Sequence, residues 1–283
     1  MQSKQHVMGD RDHRAWVGPP DYYDRLGAVQ FVTLLLLGLR EEHFLLDIGC
    51  GSLRGGRFPL MYLNPDRYFG IEPEEWCLRQ GIEAEVGSAL VTLKRPRFSF
   101  NSDLNTTSFN CQFDYIIAAG IFMHASKTQI TRCLKSVSRS LRANGKFVAA
   151  FLAGGSDSSC AHWSYPAVQY YKASTLRLLA EECGLELVLL DAPHPLGHQW
   201  VVLTHMKDQQ HVNHHLGLDA FSWEEYLSFQ LSKRGIAPKS HEGYLRHDLS
   251  RVIRSDDESV VPQARLSSSE RPIDDAAAHI MET

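Results

Sequence analysis

The sequence of 283 residues lacks the features that would place it in several broad classes. Lysine and arginine number 29 against 33 acids, for a net charge of -4, so no overall cationic field is present and we expect no nucleic-acid partner. The six cysteines include no C-x-x-C pair, which favours reduced thiols and a cytoplasmic location. The longest apolar runs, Phe31 to Leu37 and Phe147 to Ala153, are much shorter than the roughly 20 residues of a membrane span. Because the N-terminus is also polar, we expect neither a membrane segment nor a signal peptide.

An apolar run that breaks into glycines is the most informative stretch of the chain. Phe44 to Ile48 predicts a β-strand, and Gly49 and Gly51 predict a tight loop before the next helix. Glycine tolerates a positive φ and lets a ligand approach the backbone, while a helix start offers unpaired N–H groups. The pattern therefore predicts a cradle for a nucleotide-type ligand.

The spacing around this loop narrows the choice of ligand. The dinucleotide fingerprint requires glycine at its first, third and sixth positions, and the sixth position here is Arg54, which leaves an NAD(P)-dependent oxidoreductase as a weak alternative. Asp47, two residues before the first glycine, suits a ligand that carries an ammonium group. A second predicted strand, Tyr68 to Ile71, leads into Glu72, whose carboxylate can accept hydrogen bonds from two ribose hydroxyls.

Asp47, the Gly49-Cys50-Gly51 loop and Glu72 together resemble the class I S-adenosylmethionine-dependent methyltransferases. The resemblance implies that the loop binds the methionine half of S-adenosylmethionine and that Glu72 binds its ribose. It also implies a Rossmann-like α/β fold, with a seven-stranded, mostly parallel sheet, an antiparallel last strand and helices on both faces. The candidate cofactor-binding residues are Asp47, Gly49, Cys50, Gly51, Arg54, Glu72, Asp103 and Ala119.

The resemblance also implies roles for residues at the ends of two later strands. Asp103 follows the third predicted strand, Arg97 to Phe100, where such enzymes bind the adenine amino group. Its neighbours are turn residues, however, so an ordinary Asx turn is an equal alternative. Ala119 belongs to the fourth predicted strand, Phe113 to Gly120, whose small terminal side chains leave room for the methyl group and its acceptor.

The remaining pattern predicts one methyltransferase domain with extensions at both ends. A helix from Gln129 to Leu141 and the Asn144-Gly145 turn precede a fifth strand, Lys146 to Leu152. The last two strands, Leu185 to Leu190 and Gln199 to Thr204, must pair antiparallel, because the link between them is too short for a parallel crossover. We expect a mobile arm over 1–20, the methyltransferase domain over 21–205, a helical extension over 206–232 and a disordered tail over 233–283.

Histidines supply the candidate catalytic residues. Methyl transfer to a hydroxyl requires removal of a proton, and His124, just past the fourth strand, is the best-placed base. His162 and His198 lie on predicted loops and are further candidates, and a histidine at position 124 bonded only to backbone is an equal alternative. The histidines within 211–215 have no thiolate nearby and no standard ligand spacing, so we expect no metal site.

These observations favour O-methylation of a small-molecule hydroxyl. N- or C-methylation of a small molecule and a non-catalytic, cofactor-binding scaffold remain alternatives. The sequence has no Asn-Pro-Pro-Tyr motif, which argues against a nucleobase amino group as the acceptor. Neither the identity of the acceptor nor the oligomeric state follows from the sequence.

Overall fold

The structure is a computed structural model that describes residues 6–206 of the chain. The histidines within 211–215, the predicted tail over 233–283 and all but the first residue of the predicted extension over 206–232 lie outside the described residues. Of the helices in the described part, none is both long enough and apolar enough to cross a membrane.

One mixed β-sheet forms the centre of the described chain. The strands are β1 (Leu45–Ile48), β2 (Tyr68–Ile71), β3 (Arg97–Ser99), β4 (Phe113–Ala118), β5 (Leu141–Ala153), β6 (Tyr170–Tyr171), β7 (Leu185–Leu190) and β8 (Gln199–His205). Seven of them follow the order β3-β2-β1-β4-β5-β8-β7, and the two-residue β6 pairs in parallel with β5. β8 runs antiparallel to both β5 and β7, while the other pairs are parallel. The predicted fold class and the antiparallel final hairpin are therefore confirmed, and β6 is an addition.

Six α-helices connect these strands. They are α1 (Tyr23–Leu36), α2 (Arg57–Tyr62), α3 (Glu75–Gly81), α4 (Ser88–Lys94), α5 (Lys127–Ser140) and α6 (Ala173–Glu181), and a π-helical segment, Ile82–Val86, lies between α3 and α4. A capping box of Ser126 and Gln129 starts α5, since each side chain satisfies a backbone N–H of the other residue. Pro59 falls in the first turn of α2, where its missing N–H has no intrahelical partner to lose.

The strand register brings the predicted ligand-binding residues to one edge of the sheet. Asp47 pairs with Gly70 of β2 on one side and with Ile117 of β4 on the other. Glu72 and Ala119 therefore follow their strands at the level where β1 runs into the glycine loop. In parallel α/β sheets, ligands bind at this carboxyl edge.

The sheet is buried on both faces, as expected for central parallel strands. Neighbouring residues of β1 enter opposite cores: Leu46 packs with Phe69 in one, and Leu45 packs with Tyr68 in the other, all four at most 2% exposed. The strands can therefore hold the carboxyl edge in a fixed geometry.

Two segments differ from the sequence-based expectation. β5 begins at Leu141 and includes the Asn144-Gly145 pair that was predicted as a turn, with a register shift opposite Phe113 and Tyr115 of β4. Residues 6–20, within the predicted mobile arm, pack against the domain, and Ala15 is fully buried. Ion pairs of this segment with Glu85 explain the difference, because they join residues about 70 positions apart and leave no local pattern.

Candidate functional site at the carboxyl edge of the sheet

A cavity of about 440 Å³ lies at the carboxyl edge. It extends along the strand order, so that one end is lined by residues that follow β1, β2 and β3 and the other by residues that follow β4 and by the β7–β8 loop. The first end contains the acids Asp47, Glu72 and Glu74 together with Ser102 and Leu104. The second end is rich in aromatic rings and imidazoles, contributed by Trp16, His124, Trp163, Tyr165, His194 and His198, and it also includes Met123. We call these the acidic end and the aromatic end.

The glycine loop closes tightly under the cavity. Gly49 and Gly51 have φ values of 68° and 55°, which disfavour other residues. A Cβ at Gly49 would lie 2.1 Å from Ile121 Cδ1, and one at Gly51 would lie 2.4 Å from Val17 Cγ1. Both positions therefore need glycine for conformation and for space. Cys50, between them, also lines the cavity, and burial raises the pKa of its thiol well above the ordinary value.

Glu72 is held in place by two backbone donors. Its Oε2 accepts from the Gly51 N–H at 2.9 Å, and its Oε1 accepts from the Glu74 N–H at 2.8 Å. Burial raises the pKa of Glu72 to about 7, although both hydrogen bonds favour the ionised form. The carboxylate is thereby tied to the glycine loop at the cavity wall, with lone pairs left for a ligand hydroxyl.

Asp47 lies at the acidic end as well, directly before the glycine loop. Its Oδ2 accepts from the Tyr68 hydroxyl at 2.8 Å. Burial raises the pKa of Asp47 to about 6, against the opposing effects of Tyr68 and of the positive charge of Arg54. Such a carboxylate favours a cationic group beside it, because a nearby positive charge restores its ionised form.

Arg54 places a positive charge at the cavity. It takes part in none of the ion pairs found within residues 6–206. Its Nη1 donates to the Val17 carbonyl, and its buried Nε has no hydrogen-bond partner in this part of the chain. Burial lowers the pKa of Arg54 to about 10, so the guanidinium remains charged at neutral pH. Its Nη2 faces Gly120 after β4, where a built Cβ would lie 4.0 Å away. A buried, unpaired guanidinium is a receptor for an anionic group.

His124 is 7% exposed and lines the aromatic end. Its Nδ1 lies 2.9 Å from the Ala167 carbonyl, which can only accept, so the proton is on Nδ1 and Nε2 keeps its lone pair. The rings of Tyr165 and Trp163 lie 5.0 Å and 5.6 Å from the imidazole. Burial lowers the pKa of His124 below its ordinary value, which keeps the ring neutral at physiological pH.

Two further imidazoles come from the β7–β8 loop. The rings of His194 and His198 stack with centroids 4.1 Å apart and an interplanar angle of 14°. Burial, together with the positive charge of Arg54, lowers the pKa of His194 to about 3 and that of His198 to about 4. Both rings are therefore neutral at pH 7, and the buried Nδ1 of His198 has no partner among residues 6–206.

Two of the candidate residues do not face the cavity. His162 is exposed on the segment before β6 and is absent from the lining. Asp103 is exposed, and its Oδ1 accepts from the Asn105 N–H at 3.2 Å in an Asx turn. Its neighbours Ser102 and Leu104 line the acidic end instead. Among residues 6–206, no group of three His, Cys, Asp or Glu side chains is arranged to hold a metal ion.

Comparisons with known proteins match the part of the chain that forms this edge of the sheet. A family model described as a methyltransferase domain matches residues 46–147, from β1 into β5. Residues 46–147 therefore belong to a methyltransferase domain, consistent with a class I S-adenosylmethionine-dependent methyltransferase. It is an enzyme domain, and its cofactor is S-adenosylmethionine.

Solved structures share the fold of this methyltransferase at low sequence identity. The magnesium protoporphyrin IX methyltransferase of Synechocystis PCC 6803 with bound S-adenosylmethionine is 10% identical, with a TM-score of 0.51, covering 70% of this chain and 88% of that one. The glycopeptide N-methyltransferase MtfA, in complex with S-adenosylmethionine, is also 10% identical, with a TM-score of 0.51, covering 63% of this chain and 94% of that one. At this identity the likeness is one of fold, and it leaves the acceptor and its reacting atom open.

The methyltransferase cavity also contains residues that sequence reasoning missed. His194 lines it, as do Trp16 and Val17 of the N-terminal segment. A pair of histidines four apart in a proline-containing loop was the only local signal for His194. The N-terminal residues gave none, since only tertiary contacts bring them to the cavity.

Proposed function

We propose that this methyltransferase transfers the methyl group of S-adenosylmethionine to a hydroxyl of a small molecule. The carrying observation is the 2.9 Å contact between His124 Nδ1 and the Ala167 carbonyl, which leaves Nε2 as a neutral base in the cavity beyond β4. Nε2 would take the hydroxyl proton as the acceptor oxygen bonds to the methyl carbon in line with the breaking carbon–sulfur bond, which would release the thioether S-adenosylhomocysteine.

The cofactor accounts for the acidic end and for Arg54. Glu72 accepts from the ribose hydroxyls, and Asp47 faces the ammonium of the methionine part. The unpaired guanidinium of Arg54 suits the carboxylate of the same methionine part, which a fork of N–H donors binds well. Ala119, after β4, then lines the space into which the methyl group projects.

The charge distribution favours a hydroxyl over an amine acceptor. The acids that line the cavity lie in β1 or follow β2, so the aromatic end offers no carboxylate to an ammonium group. Arg54 also disfavours a second cation nearby. Neutral imidazoles and aromatic rings suit an uncharged acceptor, such as a phenol or an alcohol on a ring.

Two experiments test the proposal. Calorimetric titration should show binding of S-adenosylmethionine and none of NAD. Turnover is then measured with panels of phenols, ring alcohols and amines, with methylated products identified by mass spectrometry. Methylation of amines alone would overturn the assignment of the acceptor.

The role of His124 has its own test. His124→Gln should lower turnover by about 10²- to 10⁴-fold while cofactor affinity is preserved, the usual range for losing a general base. In the wild type, activity should fall as pH drops through the lowered pKa of His124, and the variant should lose this acidic limb. His162→Ala, on the exposed histidine outside the cavity, is the matched control and should retain turnover. Equal turnover in His124→Gln and wild type would make His124 structural and direct attention to His198.

A further inference from the structure

Residues His13 to Gly18 form a connection of turns before the first helix, and its last three residues line the cavity; we call it the strap. We propose that the strap closes the cavity over the cofactor and that Glu85, a residue outside the cavity, positions it. The inference rests on the proposed function in one respect, namely that the ligand of the cavity is S-adenosylmethionine. It adds a positioning residue that does not line the cavity.

The outer half of the strap is anchored on Glu85. This residue belongs to the π-helical segment between α3 and α4, and its side chain is 7% exposed. Its Oε1 lies 2.9 Å from His13 Nε2 and accepts from Arg14 Nε at 2.7 Å, while Oε2 accepts from Arg14 Nη2 at 3.1 Å. Arg57 of α2 donates to Oε2 at 2.8 Å. Three side chains therefore converge on one carboxylate, and the Arg14 contact has the paired geometry of strong guanidinium–carboxylate bonds.

The inner half of the strap contacts the ligand-binding groups themselves. The Val17 carbonyl accepts from Arg54, and the Trp16 carbonyl accepts from the Tyr165 hydroxyl at 2.5 Å. The Trp16 ring lies 5.2 Å from the ring of Tyr165 and 5.4 Å from that of Trp76. Val17 packs directly on Gly51 of the cofactor loop. The strap thus orients Arg54 and covers the glycine loop from outside.

The anchor is needed because the strap belongs to no helix or strand. Ordering such a segment costs conformational entropy for every residue, and that cost is offset only at its fixed points. One fixed point is the turn in which Asp12 accepts from the backbone N–H groups of Arg14 and Ala15, and another is Glu85. Without Glu85, only the Asp12 turn and the contacts inside the cavity remain to order the strap. The open form should then be more populated, and the ligand should leave faster.

The experiment uses the full chain and S-adenosylhomocysteine, the demethylated cofactor, as the probe. Glu85→Gln keeps the shape of the side chain but removes its charge, and Arg14→Gln removes the partner on the strap. Asp66→Asn is the matched control, because it breaks an exposed ion pair with Arg95 outside the cavity lining. The readouts are the dissociation rate by stopped flow, the affinity by calorimetry, and hydrogen exchange at residues 13–18.

We expect both strap variants to release the probe about tenfold faster and to bind it correspondingly more weakly, because changes in affinity reside mainly in the dissociation rate. Exchange at residues 13–18 should accelerate in both, while the Asp66→Asn control should match the wild type. Unchanged release in both variants, with binding by the wild type, would overturn the inference alone. A lower melting temperature in Glu85→Gln without faster release in Arg14→Gln would also overturn it, since Glu85 would then be structural. Failure of the wild type to bind the probe would overturn the proposed function together with the inference.

Discussion

At the scale of single residues, the two buried carboxylates make cofactor binding depend on pH. Burial raises the pKa of Asp47 to about 6 and that of Glu72 to about 7. Each must be ionised to face an ammonium or to accept from two hydroxyls. We therefore expect the affinity for S-adenosylhomocysteine to increase as pH rises from about 5 to about 8, measured by calorimetry.

Substitutions test which of the two carboxylates causes each step in the pH dependence of affinity. Glu72→Gln should weaken binding by roughly 10- to 100-fold at pH 8, the range for loss of a hydrogen bond to a charged group, and should remove the upper step. Tyr68→Phe removes a hydrogen bond that lowers the pKa of Asp47, so the lower step should move to higher pH. An affinity that does not vary with pH in the wild type would contradict the role of both acids.

The location of residues at the ends of parallel strands was predictable from the sequence, because aligned strand ends lie at one edge of the sheet. Asp47 and Glu72 each follow an apolar run, and aligned strand ends bring them to the same cavity. Asp103 follows β3 by the same logic, yet its side chain turns back to the Asn105 N–H, and local turn geometry decided its direction. The tautomer of His124 depends on the Ala167 carbonyl, 43 residues away, which no sequence pattern indicates.

At the scale of elements, strands were predicted closely and irregular segments were not. The bounds of β2 and β7 agree with their apolar runs, since burial on the sheet determines the pattern. The Asn144-Gly145 pair has strong turn propensity and lies inside the register shift of β5, between Leu141, which pairs with Phe113, and Lys146, which pairs with Tyr115. The strap depends on ion pairs that are distant in sequence. It therefore could not be distinguished from a mobile arm.

A buried cluster of hydroxyl groups joins a 3₁₀ turn to α5, and we expect it to contribute to stability. Thr106 begins a 3₁₀ turn two residues after Leu104, and its Oγ1 lies 2.7 Å from Ser136 Oγ and 2.6 Å from Ser140 Oγ of α5. Thr106→Val should lower the free energy of unfolding by about 1 to 3 kcal/mol, because buried hydroxyls would lose a partner. Urea unfolding measures the change.

The control for this prediction lies on the same helix. Thr131 donates from its hydroxyl to the Lys127 carbonyl at 2.9 Å at the surface of α5. Thr131→Val should change stability by less than about 0.5 kcal/mol, as surface substitutions usually do. If both variants unfold at the wild-type urea concentration, the cluster does not hold the turn against α5.

At the scale of the whole molecule, the order of the strands determines where the two ends of the cavity lie. β1 lies between β2 and β4, so the acidic end forms on one side of the glycine loop and the aromatic end on the other. Donor and acceptor thus occupy adjacent parts of one cavity. The mostly parallel sheet with an antiparallel last strand was expected from the resemblance to class I methyltransferases, whereas the ring-rich lining arises from four segments distant in sequence.

The last prediction concerns the chain beyond the sheet. All strands of the described sheet lie between Leu45 and His205, and the family model ends at residue 147. Residues 233–283 are rich in charged and polar side chains, with few apolar ones to bury. Removing 233–283 should therefore leave both the melting temperature and the affinity for S-adenosylhomocysteine close to those of the full chain. Scanning calorimetry and titration of the shortened and full chains provide the comparison. A large loss of either quantity would mean that this segment binds the methyltransferase domain, and its apolar residues would then be the next to replace.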